Sequence, residues 1–121
     1  MFNFFNKTAF VLGGSGLIGS KVVEKLLHLN CKVVNLDIKK NEFTNNKNYY
    51  FSKFNCAQTS NIKNYTKVTK KFGFPDIFIN CSYPRTEDWK KNNFENIKYA
   101  SLKKNIEMQL INQSFLIKEV A

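Results

Sequence analysis

No apolar run in this sequence approaches the roughly 18 residues that a membrane-crossing helix needs. The longest, such as Ala9–Leu12 and Ile77–Ile79, are the length of a strand. Met1 to Lys7 contains neither a long apolar segment nor a small-residue cleavage site, so it does not read as a secretory signal. Cysteine occurs three times, at Cys31, Cys56 and Cys81, widely spaced and without a CxxC pair. That excludes a disulfide framework or a zinc site and suits buried thiols in a reducing compartment. The expected location is therefore the cytoplasm. Acidic residues are scarce, 9 against 19 basic ones, for a net charge of +10. Arginine is nearly missing too, since 18 of the 19 basic residues are lysine.

Such a charge suits a nucleic-acid binder, but its distribution does not. The lysines are spread along the chain in pairs at most, as at Lys39-Lys40, Lys70-Lys71, Lys90-Lys91 and Lys103-Lys104. There is no recognition helix, stacking platform or basic cluster. Seventeen asparagines accompany the lysines. Lys, Asn, Phe, Tyr and Ile share A/T-rich codons, so base composition explains the balance. A solvated basic surface is expected, with no nucleic acid and no membrane as partner.

What is present can build a core: 43% of the 121 residues are hydrophobic and 15% are aromatic. That length suits one domain, residues 1–121. Thr8–Leu12 reads as a buried strand. Gly16 to about Asn30 has helical spacing, with Ile18, Val22, Val23, Leu26, Leu27 and Leu29 on an apolar face and Asn30 as a stop. Lys32–Leu36 is a second strand closed by Asp37. Lys39–Asn48 is a polar loop with room for a short helix. Tyr49–Phe54 is a third strand. Ser60–Phe72 reads as one helix with a thin apolar face (Ile62, Tyr65, Val68, Phe72), stopped by Gly73 and Pro75. Asp76–Asn80 is a fourth strand. Cys81 to about Ala100 is a polar loop with helical turns. Ser101 onward is a last helix, with Leu102, Ile106, Leu110, Phe115, Leu116 and Val120 at core-like spacing. Strands alternating with helices predict an α/β, Rossmann-like fold: a parallel sheet of about four strands, order 3-2-1-4, with helices on both faces.

Leu12-Gly13-Gly14-Ser15-Gly16-Leu17-Ile18-Gly19 lies between the first strand and the first helix. Gly13 permits a tight turn, Gly16 lets a diphosphate approach the backbone, and Gly19 lets the helix pack closely. Free N–H groups and the helix dipole then hold the anion. Asp37 ends the neighbouring strand, where a carboxylate accepts hydrogen bonds from both hydroxyls of an adenine ribose. Its charge repels a 2′-phosphate, which favours NAD over NADP, although Lys39 and Lys40 lie nearby. His28 belongs to the outer face of the first helix.

On these residues the chain resembles the N-terminal half of a short-chain dehydrogenase/reductase. The loop is similar to the family's TGGxGxIG form, with Leu12 in place of Thr. The resemblance implies cofactor contacts from Gly13, Ser15, Gly16, Leu17, Ile18 and Asp37. It places Asn55, in Phe54-Asn55-Cys56-Ala57-Gln58, where an Asp touches the adenine. It matches Asn80 to the first Asn of the family's D-x-L-V-N-N-A-G strand, beside the nicotinamide side, with Cys81, Ser82 and Tyr83 departing from N-A-G. Tyr83-Pro84-Arg85, within N-x-x-Y-P-R, is similar to a bacterial subgroup linked to flagellin or surface-polysaccharide modification and to sugar or sugar-nucleotide precursors. As a local feature the same tripeptide reads equally as a turn.

The family's Ser and Tyr-x-x-x-Lys unit lies beyond the fourth strand, and the resemblance implies that this chain stops before it and before the fifth to seventh strands. No catalytic residue is therefore assigned. Tyr49-x-x-x-Lys53 falls on a predicted strand, and Tyr99-x-x-x-Lys103 straddles the start of the last helix, too soon after the glycine loop. Gln109, flanked by Asn105 and Asn112, is nearest to an asparagine that the family uses in a proton relay. Two functions remain open: the cofactor half of an NAD-dependent oxidoreductase, with a small-molecule substrate only once a C-terminal half completes it, and a non-catalytic nucleotide-binding or interaction module. An apolar strand Ile77–Ile79 at a sheet edge, and an apolar stripe on the last helix, predict self-association. Sedimentation should show concentration-dependent association of the purified chain; a stable monomer at all concentrations contradicts it.

Overall fold

A computed structural model describes residues 2–41 and 45–121. Its strands are β1 (Thr8–Leu12), β2 (Lys32–Asp37), β3 (Tyr49–Lys53) and β4 (Ile77–Asn80); its α-helices are α1 (Leu17–His28), α2 (Thr59–Lys63), α3 (Tyr65–Phe72), α4 (Tyr99–Ile106) and α5 (Asn112–Val120). The four strands form one sheet, order β3-β2-β1-β4, and every pairing is parallel. This is the Rossmann-like arrangement expected from the sequence. Contacts divide the chain into two compact units, Met1–Asn55 with Thr66–Ser82, and Cys56–Tyr65 with Tyr83–Ala121.

In the first unit, β1 and β2 are apolar on both faces because both are covered. Ala9, Val11 and Val33 meet Val23, Leu26 and Leu27 of α1, with Cys31 and Tyr49 in the same cluster. On the opposite face Phe10, Leu12, Val34 and Leu36 are buried. There Tyr50 meets Phe72 of α3 edge-on, with ring centroids 5.7 Å apart. Each fully buried aliphatic side chain contributes about 1.5–3 kcal/mol. The helix α1 ends as its sequence predicts: Asn30 adopts a positive φ of 62°, which Asn tolerates better than most residues. Its apolar face is narrower than expected. Ile18 lies in the first turn, beyond the end of the sheet, and is exposed. Gly73 likewise stops α3 with φ 81°. Asp76 pins the start of β4 to β1: its Oδ2 accepts from the Thr8 N–H at 2.9 Å, and Lys7 pairs with Oδ1 at 3.3 Å. The backbone bond holds its carboxyl below the usual range. The expected loop after β2 is seen at 38–41 and 45–48, while residues 42–44 lie outside the described residues.

Two helices replace the single one expected over 60–72. The chain breaks at Asn64, between α2 and α3, where φ −84° and ψ 0° leave the helical region. Side-chain periodicity survives the break, since Ile62, Tyr65 and Val68 are all buried.

In the second unit, α4 begins at Tyr99 and runs through a π-helical turn, Glu107–Ile111, into α5. The stripe Leu102, Ile106, Leu110 and Phe115 is exposed rather than core-like. The buried side is largely polar: Asn105, Asn112 and Gln113 stand beside Met108 and Leu116. Each buried amide is engaged. Asn112 Nδ2 donates to the carbonyls of Cys56 and Ala57, and its Oδ1 accepts from Thr59. Asn105 Oδ1 accepts from the Thr86 N–H, and its Nδ2 donates to Thr86 Oγ1 and the Ser101 carbonyl. Gln113 donates to the Met108 carbonyl, five residues back, as a π turn allows. Hydrogen bonds from Ser101 and Thr86 hold the Asp88 carboxyl at about 2. A depressed carboxyl contributes stability that is present above its ordinary pKa and lost as pH falls through the folded value. Asp88→Asn should therefore lower stability at neutral pH and shrink its loss between about pH 4 and 2, measured by denaturant titration at a series of pH values.

Candidate functional site

Parallel register brings the C-terminal ends of the strands to one edge. Leu12 pairs with Leu36 and with Asn80, and Leu36 pairs with Ser52. Gly13–Gly19, Asp37, Asn55 and Asn80 all follow or end those strands. The sequence-predicted site residues therefore share one rim of the first unit.

Gly13 leaves β1 with φ 77°, and its N–H donates to the Leu36 carbonyl at 2.8 Å. A Cβ there would sit 2.8 Å from the Ser82 nitrogen. Gly19 is more constrained still, because an added Cβ would lie 2.0 Å from the Gly13 oxygen. Gly16 is the N-cap of α1, and an added Cβ would meet only the Gly13 oxygen at 3.4 Å. A Cβ there would thus find room, in ordinary contact with one atom. Among the described residues no side chain caps α1, and no acidic residue occupies its first turn. The leading N–H groups, including those of Leu17 and Ile18, form a positive helix end of about half an elementary charge. Both side chains are exposed on the rim.

Asp37 is half-buried, and the loop already holds it. Its Oδ2 accepts from the Ser15 N–H at 2.9 Å; its Oδ1 accepts from the N–H groups of Ile38 at 2.7 Å and Lys39 at 3.3 Å. Asn55 follows Phe54, whose N–H donates to the Asp37 carbonyl at 3.0 Å. Asn80 is exposed, and its Oδ1 accepts from the N–H and the hydroxyl of Ser82 at 2.9 and 2.7 Å.

Three further residues support this rim from beneath; of them the sequence singles out only Tyr49, in the rejected Tyr49-x-x-x-Lys53 pair. Asn35, fully buried in β2, donates to Ser15 Oγ at 2.8 Å and to the Tyr49 hydroxyl at 3.1 Å. Tyr49 in turn donates to Asn41 Oδ1, and Asn41 Nδ2 donates to the Gly14 carbonyl at 3.0 Å. Burial pushes the Tyr49 phenol up, so it stays protonated. The available signal was an asparagine inside an otherwise apolar strand, the kind of position where a polar group needs partners.

The other candidates lie elsewhere. His28 is exposed on α1. Tyr49 and Lys53 lie on β3. Tyr99 and Lys103 both fall within α4, rather than straddling its start, and Tyr99 is 80% exposed. In the second unit Tyr83 meets Trp89 edge-on at 6.4 Å and carries Arg85 over its ring at 5.6 Å. Gln109 donates to the Pro84 carbonyl at 3.0 Å. Among the described residues no cluster of three metal-ligating side chains occurs, and no helix is long and apolar enough to cross a membrane.

A glycine turn from a central parallel strand into an uncapped helix, with a carboxylate ending the next strand, defines a dinucleotide-binding α/β fold. Residues 9–111 match the NAD dependent epimerase/dehydratase family, and the chain belongs to that family. Solved structures agree. A short chain dehydrogenase from Leptospira borgpetersenii with bound NAD+ is 22% identical, with TM-score 0.81 over 98% of this chain and 46% of that one. A short chain dehydrogenase family protein from Francisella tularensis is 26% identical, with TM-score 0.74 over 93% and 44%. A 4-hydroxyisoleucine dehydrogenase complexed with NADH is 24% identical, with TM-score 0.76 over 95% and 48%. The chain spans about half the length of these structures. No curated protein matches it.

The middle and last glycines of the motif, Gly16 and Gly19, should respond differently to alanine. Gly19→Ala meets backbone that cannot yield and should cost about 1–3 kcal/mol. Gly16→Ala, at an extended backbone where the added Cβ makes one contact at 3.4 Å, should stay within about 0.5 kcal/mol. Thermal unfolding of both variants checks this; equal losses contradict it.

Proposed function

We propose that this chain forms the cofactor-binding portion of an NAD-dependent oxidoreductase of the short-chain dehydrogenase type. The observation that carries this reading is the open, uncapped start of α1 beside a carboxylate held on the adjacent strand. The groups fit a dinucleotide: Gly16 leaves space at the backbone, and the helix end favours a diphosphate. Gly13, Ser15 and Gly16 shape the turn, and the N–H groups of Leu17 and Ile18 face the phosphates. Asp37 accepts a ribose hydroxyl. A carboxylate offers about four acceptor positions, and backbone N–H groups take three of them. That leaves room for one hydroxyl, fewer than the pair inferred from spacing alone. Its charge selects NAD over a 2′-phosphorylated cofactor. Asn55 is assigned to the adenine and Asn80 to the nicotinamide side. Bound NAD supplies hydride acceptance at nicotinamide C4.

We assign residues 1–121 to one dinucleotide-binding domain whose first unit carries these contacts. Proton transfer is assigned to a Ser and a Tyr-x-x-x-Lys outside these 121 residues. The substrate assigned is a sugar or sugar nucleotide, on the resemblance of Tyr83-Pro84-Arg85. Self-association is assigned to the second unit. There a groove of about 650 Å3 is lined by Ile62, Leu102, Ile106, Ile111 and Phe115, with Lys103 and Glu107 of opposite charge.

Added NAD should raise the melting temperature of the wild-type chain, as any ligand of the native state does. Asp37→Ala should lose most of that increment, equivalent to about tenfold weaker binding or more. An unchanged increment in the variant counts against the ribose role.

A further inference from the structure

The glycine loop is tied to β2 through a buried hydrogen-bond circuit whose direction is chemically determined. The Lys39 carbonyl can only accept, so the Ser15 hydroxyl that contacts it must donate. Ser15 Oγ is then an acceptor for Asn35 and requires an N–H from it. The same logic runs from the other end. The Gly14 carbonyl can only accept, so Asn41 presents its Nδ2 there and its Oδ1 to Tyr49. Tyr49 therefore donates to Asn41 and also requires an N–H from Asn35. Both branches demand the amide nitrogen of Asn35, which carries two hydrogens.

This arrangement leaves Asn35 Oδ1 buried, with no hydrogen-bond partner among the described residues. That oxygen lies 2.4 Å from where a Cβ of Gly14 would stand, which is why residue 14 has no side chain. A polar group orphaned in a core is unfavourable, and an apolar side chain would serve packing alone without it. The amide earns its place by what its nitrogen holds. Ser15, secured at its hydroxyl by Asn35 and Lys39, directs its N–H at Asp37 Oδ2 at 2.9 Å.

We infer that Asn35 is a positioning residue for the nucleotide ribose: through Ser15 it fixes the Asp37 carboxylate before any nucleotide arrives. The inference rests on the proposed role of Asp37 as ribose acceptor. Orientation is thereby set in advance, so binding does not spend free energy on ordering the loop.

The test compares dissociation constants for ADP and for 2′,3′-dideoxy-ADP, which keeps the diphosphate and lacks both hydroxyls. The wild-type protein should prefer ADP by about tenfold or more. Asn35→Ala should bind the dideoxy nucleotide within about threefold of wild type, and both Asn35→Ala and Ser15→Ala should lose most of the preference for ADP, read as the ratio of the two dissociation constants. Thermal unfolding establishes that each variant is folded. If Asn35→Ala is not, Ser15→Ala carries the test, since it cuts the same circuit at a half-buried position. A merely loosened fold weakens both nucleotides alike and leaves their ratio at the wild-type value; that result in the folded variants overturns the inference while the role of Asp37 stands. A wild-type protein with no preference between the two nucleotides overturns the role of Asp37 and the inference together.

Discussion

The start of α1 can lie over the end of β1 only because nothing projects from Gly19 toward the Gly13 carbonyl. A single methyl group there would overlap the oxygen. Gly13 must also turn with positive φ against the backbone of Ser82. These two contacts set the depth of the helix end, and with it the direction of its exposed N–H groups. The packing of Val23, Leu26 and Leu27 onto Ala9, Val11 and Val33 then keeps the helix in that position. Close approach at the loop and burial along the helix act on the same element and reinforce one another.

Position alone does not make the rim chemically specific. The helix end supplies positive potential, which any anion satisfies. In its proposed role Asp37 adds discrimination, because it is a negative charge beside that potential. Isolated on a strand end, a carboxylate rotates and is solvated. Here three N–H groups fix it, one from the loop itself. The loop and the strand end thus behave as one piece of structure, joined below the surface by Asn35, Tyr49 and Asn41.

The second unit inverts the usual distribution of side chains. The long helix from Tyr99 buries Asn105, Asn112 and Gln113 and leaves Leu102, Ile106 and Phe115 in solvent. The buried amides bond to backbone groups of segments that have no regular structure to satisfy them, Asn112 donating to the carbonyls of Cys56 and Ala57 and Asn105 accepting from the Thr86 N–H. Irregular backbone next to a helix needs such partners, and asparagine supplies a donor and an acceptor at once. The apolar face is then available for the self-association proposed here. The π turn adds one residue between the two buried stretches, which places the adjacent residues Asn112 and Gln113 both inward.

Sequence alone determined the strands and their alternation with helices, the sheet order, and the residues at the glycine turn. These follow from local rules: apolar runs of strand length, helical spacing, glycine where a Cβ is forbidden, and the handedness of parallel crossovers. Asn30 and Gly73 end their helices as their residue types require. Tertiary structure decided what no local rule encodes. An asparagine in a strand reads as a weakness until its two N–H groups meet Ser15 and Tyr49, 20 and 14 residues away. An apolar helical stripe reads as core until the opposite, polar face finds carbonyls to bond. The break at Asn64 leaves the 3.6-residue pattern intact and so leaves no trace in it. Periodicity reports that a side chain has a preferred face, whereas only the folded chain brings the groups that satisfy it.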